Sequence, residues 1–129
     1  MEDKKELVQL WIQKAEDDLL AAESLIISHP SLTAIICFHC HQSSEKFIKA
    51  WLVFLEVEFT KSHDLDYLLG LIELRNDFDS KLYLLIDKLE NFAVEMRYPN
   101  QKFDPTFDET KLALSAAKDI KEIVHLKTT

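Results

Sequence analysis

One glycine and three prolines punctuate 129 residues. Both residue types break or bend regular backbone, so a chain with so few of them runs in long elements joined by few loops. No apolar run approaches the roughly 20 residues that cross a bilayer, which excludes a helical membrane span from the expectation. Two cysteines are too few for a disulfide scaffold and fit reduced thiols in a cytoplasmic protein. Cations are outnumbered, 15 Lys and Arg against 23 Asp and Glu, leaving a net charge of −8. That balance opposes diffuse adhesion to nucleic acid or anionic lipid, which needs clustered Lys and Arg, and leaves only a local basic patch open. The N-terminal MEDKKELVQLW is charged and helical in pattern. It has no apolar core before a small-residue cleavage site, so it does not read as a signal peptide.

What is present is helical periodicity. Val8, Ile12, Ala15, Leu19, Ala22 and Ile26 form one stripe, widened by Trp11 and Leu25, and predict a helix over about Asp3 to Ser28. Pro30 disfavours helical geometry at His29 and ends it. A second helix follows over about Leu32 to Val57, and a third over about Asp64 to Arg75 with Ser62, His63 or Asp64 as its cap. A fourth runs from about Ser80 to Met96 after a plausible Asp79 cap, with Leu82, Leu85, Ile86, Leu89 and Phe92 inward and Pro99 as its stop. Thr106 and Glu109 have the spacing of a capping box and start a fifth helix with Leu112, Ala116, Ile120 and Ile123 as its stripe. No strand pattern, repeat or linker interrupts this order. The expectation is one all-α domain over residues 1–129: an antiparallel up-and-down bundle of four main helices plus a fifth C-terminal helix. Trp51, Phe47, Leu19 and Leu85 are expected inside.

The chemistry-bearing stretch is CFHCHQSSEKFIKAWL, Cys37 to Leu52. At about 100° per residue, Cys37, Cys40, Ser44, Phe47, Ile48 and Trp51 share one side of the second helix. Both cysteines therefore fall in the core stripe. A redox Cys-x-x-Cys normally opens a helix, where the helix N-terminus activates a thiol, so inert buried thiols are expected here. His39 and His41 point about 200° apart and cannot share one ion, and a His41–Glu45 pair lacks a third ligand, so no metal site is expected. Opposite the core stripe stand Gln42, Glu45, Lys46 and Lys49, with Phe38 and Leu52 among them. Glu45 and Lys49 fit an ordinary solvated i,i+4 pair. The apolar Phe38 and Leu52 among them suggest a second contact surface, against another helix or a second subunit. On the first helix Asp17 points away from the stripe. Asp18 lies on its flank beside Trp11, Ala22 and Leu25, where a carboxylate either reaches water or finds a partner such as Arg97 or a lysine. The loop RYPNQKF gathers Arg97, Tyr98 and Lys102. Arg97 reads either as a helix-end cation or as a two-pronged grip on an anion, and Tyr98 as a lid on the core or a stacking platform for a base.

WIQKAEDDLLAAESLI (Trp11 to Ile26), CFHCHQSSEKFIKAWL, SHDLDYLL (Ser62 to Leu69) and MRYP (Met96 to Pro99), in this order and spacing, resemble the HEPN domain, named for higher eukaryote and prokaryote nucleotide-binding. The likeness runs over about Glu6 to Val124. It implies a bundle of four main helices and a shorter one, usually dimeric. It also implies a small prokaryotic protein, often paired with a minimal nucleotidyltransferase in a two-gene module resembling toxin–antitoxin systems. Many HEPN proteins are metal-independent RNA endonucleases whose site is an Arg and a His separated by four to six residues. Arg97 matches the Arg, but Lys102, Phe103 and Asp104 stand where the His should be, and the next histidine is His125. Without that imidazole the acid–base partner for attack by a ribose 2′-hydroxyl is missing, and lysine is normally too basic to replace it. The expectation is therefore a non-enzymatic, cofactor-free homodimeric binding module for a nucleotide-like anion, for RNA or for a nucleotidyltransferase partner. Arg97, Tyr98, Lys102 and Asp18 are the ligand candidates. The rivals are a ribonuclease with a non-standard site around Arg97, aided by Lys102 or His125, and a purely structural dimer.

Overall fold

The structure, a computed structural model, describes residues 3–75, 79–95 and 104–129, and the side chains of the fourth helix as far as Leu89. It contains α1 (Lys4–Ser28), α2 (Thr33–Phe54), α3 (Leu65–Glu73), α4 (Lys81–Glu95) and α5 (Phe107–Lys127), with no strand among the described residues. Four of the five are long and α3, with 9 residues, is the short one, so the shorter helix lies mid-chain and the C-terminal helix is a main member of the bundle.

The helix starts follow from local chemistry. The Asp3 carboxylate accepts from the Lys5 amide and caps α1, and Asp64 accepts from the amides of Asp66 and Tyr67 to cap α3. Asp79 accepts from the Lys81 amide at the start of α4. Thr106 and Glu109 form the anticipated reciprocal capping box of α5.

Helix α2 is the centre of the bundle and packs against all four others. Its directions relative to α1 and α5 follow from named contacts. The Ser43 hydroxyl donates to the Ala15 carbonyl at 2.8 Å, while Lys49 lies against Trp11 and His39 against Asp18. As one helix rises the other falls, so α1 and α2 are antiparallel. Cys37 meets Thr110 and, ten residues on, Phe47 meets His125, so α2 and α5 run parallel. Lys118 and Lys121 of α5 reach Glu23 and Glu16 of α1 across the remaining pair.

The core contains Trp51, Phe47, Leu19 and Leu85 as anticipated, along with Ile36, Leu68, Ile72 and Ile86. Cys37 and Cys40 are both buried and unpaired with one another. Of the α5 stripe, Ala116 and Ile120 are buried and Ile123 packs against the core as anticipated, whereas Leu112 is 54 % exposed, and Thr110, Ala113, Ala117 and Val124 complete the inner face. Leu52, expected to meet either another helix or a second subunit, is 0 % exposed within the chain's own bundle and is not open to a second subunit. Phe92's side chain lies outside the described residues.

Candidate functional site

Two carboxylates organise the polar side of α2. Asp18, on the flank of α1, sits opposite His39 and Lys46: its Oδ1 lies 3.0 Å from His39 Nδ1, and its Oδ2 accepts from Lys46 Nζ. The partner anticipated for Asp18 was Arg97 or a lysine; it is Lys46, joined by a histidine. Glu45, nearly two turns along α2, repeats the pattern. Its Oε1 lies 2.9 Å from His63 Nδ1 and its Oε2 accepts from Lys49 Nζ at 2.9 Å. An ionised carboxylate only accepts, so in each cluster it is the histidine Nδ1 that donates to the carboxylate.

The second cluster is the more buried. Glu45 is 2 % and Lys49 7 % exposed, which places them among the most buried charged groups and not on a solvated face. The segment between α2 and α3 covers them. Phe59 from that segment and Trp11 from α1 lie 6.0 Å and 5.4 Å from the Lys49 ammonium, ring-centroid distances at which a cation is drawn to an aromatic face. The same segment is pinned by the Thr60 amide and hydroxyl, both within 3.2 Å of the Tyr67 hydroxyl. Those contacts hold the Tyr67 phenol below its ordinary acidity range. Glu56, at φ 59°, takes the left-handed conformation that turns the chain out of α2. A buried ion pair of this kind contributes little net stability when intact and costs a great deal when one partner is removed.

Some sequence-stretch candidates are brought together and others are not. Phe38 is 43 % exposed, with its ring edge-on to His39 at 5.7 Å, and Gln42 is half-buried beside it. These two remain available to a partner, whereas Glu45, Lys49 and Leu52 are enclosed by the chain itself. Arg97, Tyr98 and Lys102 lie outside the described residues. His125 stands beside Glu16, 3.8 Å away, and against Phe47. The thiols are held inert: burial pushes Cys40 up to about 12 and raises Cys37 as well, against a lowering hydrogen bond to the Thr110 hydroxyl. Among the described residues no group of three His, Cys, Asp or Glu side chains could hold a metal ion, and no helix is long and apolar enough to cross a membrane.

Sequence reasoning missed His63 and His39 as carboxylate partners. His63 was read only as a cap for α3, a role that Asp64 fills. The contact joins residues 18 apart in the chain, and no helical spacing predicts it.

These features define an all-helical bundle whose central helix carries its cations clasped by carboxylates. The HEPN domain family model matches residues 8–127. The chain belongs to the HEPN family. The crystal structure of an archaeal HEPN homologue superposes with a TM-score of 0.76 at 22 % identity, covering 95 % of this chain and 98 % of that one, which is a likeness of fold. A comparison with curated proteins gave no match.

Proposed function

We propose that this HEPN chain is a non-enzymatic binding module that works as a homodimer in the cytoplasm. It engages a minimal nucleotidyltransferase partner of a two-gene, toxin–antitoxin-like module, and takes a nucleotide-like anion or RNA phosphate at the Arg97, Tyr98 and Lys102 segment. The observation that carries the reading is the closure of both α2 ion clusters. Lys46 is neutralised by Asp18 and Lys49 by Glu45. A channel for single-stranded RNA needs cations free to displace counterions, and α2 offers none of its lysines for that task. Arg97, whose guanidinium suits phosphate, is the cation the reading assigns to the anion, and the sequence has no histidine between His63 and His125 to complete a nuclease pair. The exposed Phe38 and the half-buried Gln42 form the apolar-polar strip that the reading assigns to the second subunit.

The test is an anisotropy titration of labelled nucleotide and single-stranded RNA against the wild type, Arg97→Ala and Lys46→Ala. The reading expects Arg97→Ala to abolish binding with the helical content intact, and Lys46→Ala to leave it unchanged. Equal loss in both variants would place the anion on α2 and overturn the assignment.

A further inference from the structure

Helix α1 carries a second stripe that the bundle does not use. Its inner stripe, Val8, Ile12, Ala15, Leu19 and Ala22, is buried. On the opposite side Leu10, Gln13, Asp17, Leu20, Ser24 and Ile27 follow one another at alternating spacings of three and four, and all six are exposed. That alternation is the spacing with which a helix forms a seam against another helix. Leu10 is 47 %, Leu20 62 % and Ile27 83 % exposed, so three large aliphatic side chains stand in water at seam positions. A groove of about 330 Å³ opens at the N-terminal half of this stripe, floored by Leu10 and Ile12 and edged by the carboxylates of Glu6, Glu16 and Asp17. Glu16 is engaged by Lys121 and His125 of α5, whereas Glu6 and Asp17 have no ion-pair partner among the described residues.

We propose that the outer face of α1 docks a basic amphipathic helix of a partner protein, with aliphatic anchors packed on Leu10, Leu20 and Ile27 and separate Lys or Arg side chains pairing with Glu6 and with Asp17. Charge selects this occupant over a second copy of the chain. In a parallel pair Asp17 would face Asp17, and in an antiparallel pair centred on the stripe it would face Leu20. Either arrangement presses a carboxylate into a seam whose own six positions carry no cation. A basic helix supplies the missing cation and is drawn toward a chain of net charge −8. The inference concerns α1 alone and does not depend on the reading of the Arg97 segment.

The probe is a synthetic helical peptide with leucines at three–four spacing flanked by Lys and Arg. It is compared with a peptide of the same charge in which serines replace the leucines. Binding is followed by amide chemical shifts of the labelled full-length chain. The leucine peptide is expected to shift the amides around Leu10, Asp17 and Leu20. Its affinity is expected to fall about tenfold or more on Asp17→Lys or Leu20→Glu, while Asp119→Lys, an exposed carboxylate of α5, leaves it unchanged. Equal binding of the serine peptide would reduce the effect to bulk charge and overturn the proposal. So would wild-type affinity in both α1 variants, or a Leu20→Glu chain that sediments at half the mass of the wild type, which would assign the stripe to a second copy.

Discussion

Glu45 holds two partners from a position with almost no access to water, and substitutions there separate a structural clasp from a surface pair. Glu45→Ala leaves the Lys49 ammonium enclosed without a counter-charge, a change that costs about 3–5 kcal/mol in comparable buried pairs. His63→Ala removes a partner whose side chain is 67 % exposed and should cost no more than about 1 kcal/mol. Urea unfolding of the two variants checks the ordering, and equal losses would refute it. Cys40 gives a second test at this scale. Its thiol keeps its proton more tightly in the fold than in the unfolded chain, where the value is near 9. The associated stability is complete below about pH 9 and drains as pH rises toward about 12, by up to about 1.4 kcal/mol per pH unit. Unfolding midpoints measured across alkaline pH should fall more steeply for the wild type than for Cys40→Ala, even though the variant begins less stable. At this scale the burial of both cysteines was legible from helical phase alone. The carboxylate–histidine pairs were not, because they depend on how α1 and the segment after α2 approach α2.

The helices announced their beginnings more clearly than their faces. Asp3, Asp64, Asp79 and Thr106 are small polar side chains set just before periodic runs, and each accepts a hydrogen bond from the first turn of its helix. Thr106→Ala should therefore cost about 1 kcal/mol in thermal or urea unfolding, and a loss indistinguishable from zero would mean that the capping box does not form in solution. One position of the α5 stripe departs from the reading for a physical reason. Hydropathy favours Leu112 beside the buried Ala116 and Ile120, but α5 packs beside α2 with Thr110, Ala113 and Ala117 also inward, which turns Leu112 out. Small side chains let two helices come close, and Thr110 answers the Cys37 thiol at 3.6 Å. Leu112→Lys should accordingly change stability by no more than about 0.5 kcal/mol. A loss of several kcal/mol would restore the first assignment.

For the molecule as a whole, the scarcity of breakers and the helical stripes were enough to read an all-α bundle. Family membership came from four short motifs taken together in order. What stayed illegible was the division of α2 between core, clasp and open strip. Five residues that share an outer helical phase, Phe38, Gln42, Glu45, Lys49 and Leu52, divide because α3, α4 and the α2–α3 segment cover three of them. The homodimer we propose therefore rests on Phe38 and Gln42, and Phe38→Glu should shift sedimentation equilibrium toward the monomer without loss of helix. The central claim, that this HEPN chain binds without cutting, is tested most directly by incubating purified wild-type protein with single-stranded RNA, with and without divalent metal, and resolving the products. The account predicts intact RNA under both conditions. Robust cleavage that disappears in Arg97→Ala would contradict it and make the protein a ribonuclease with a site built without the usual histidine.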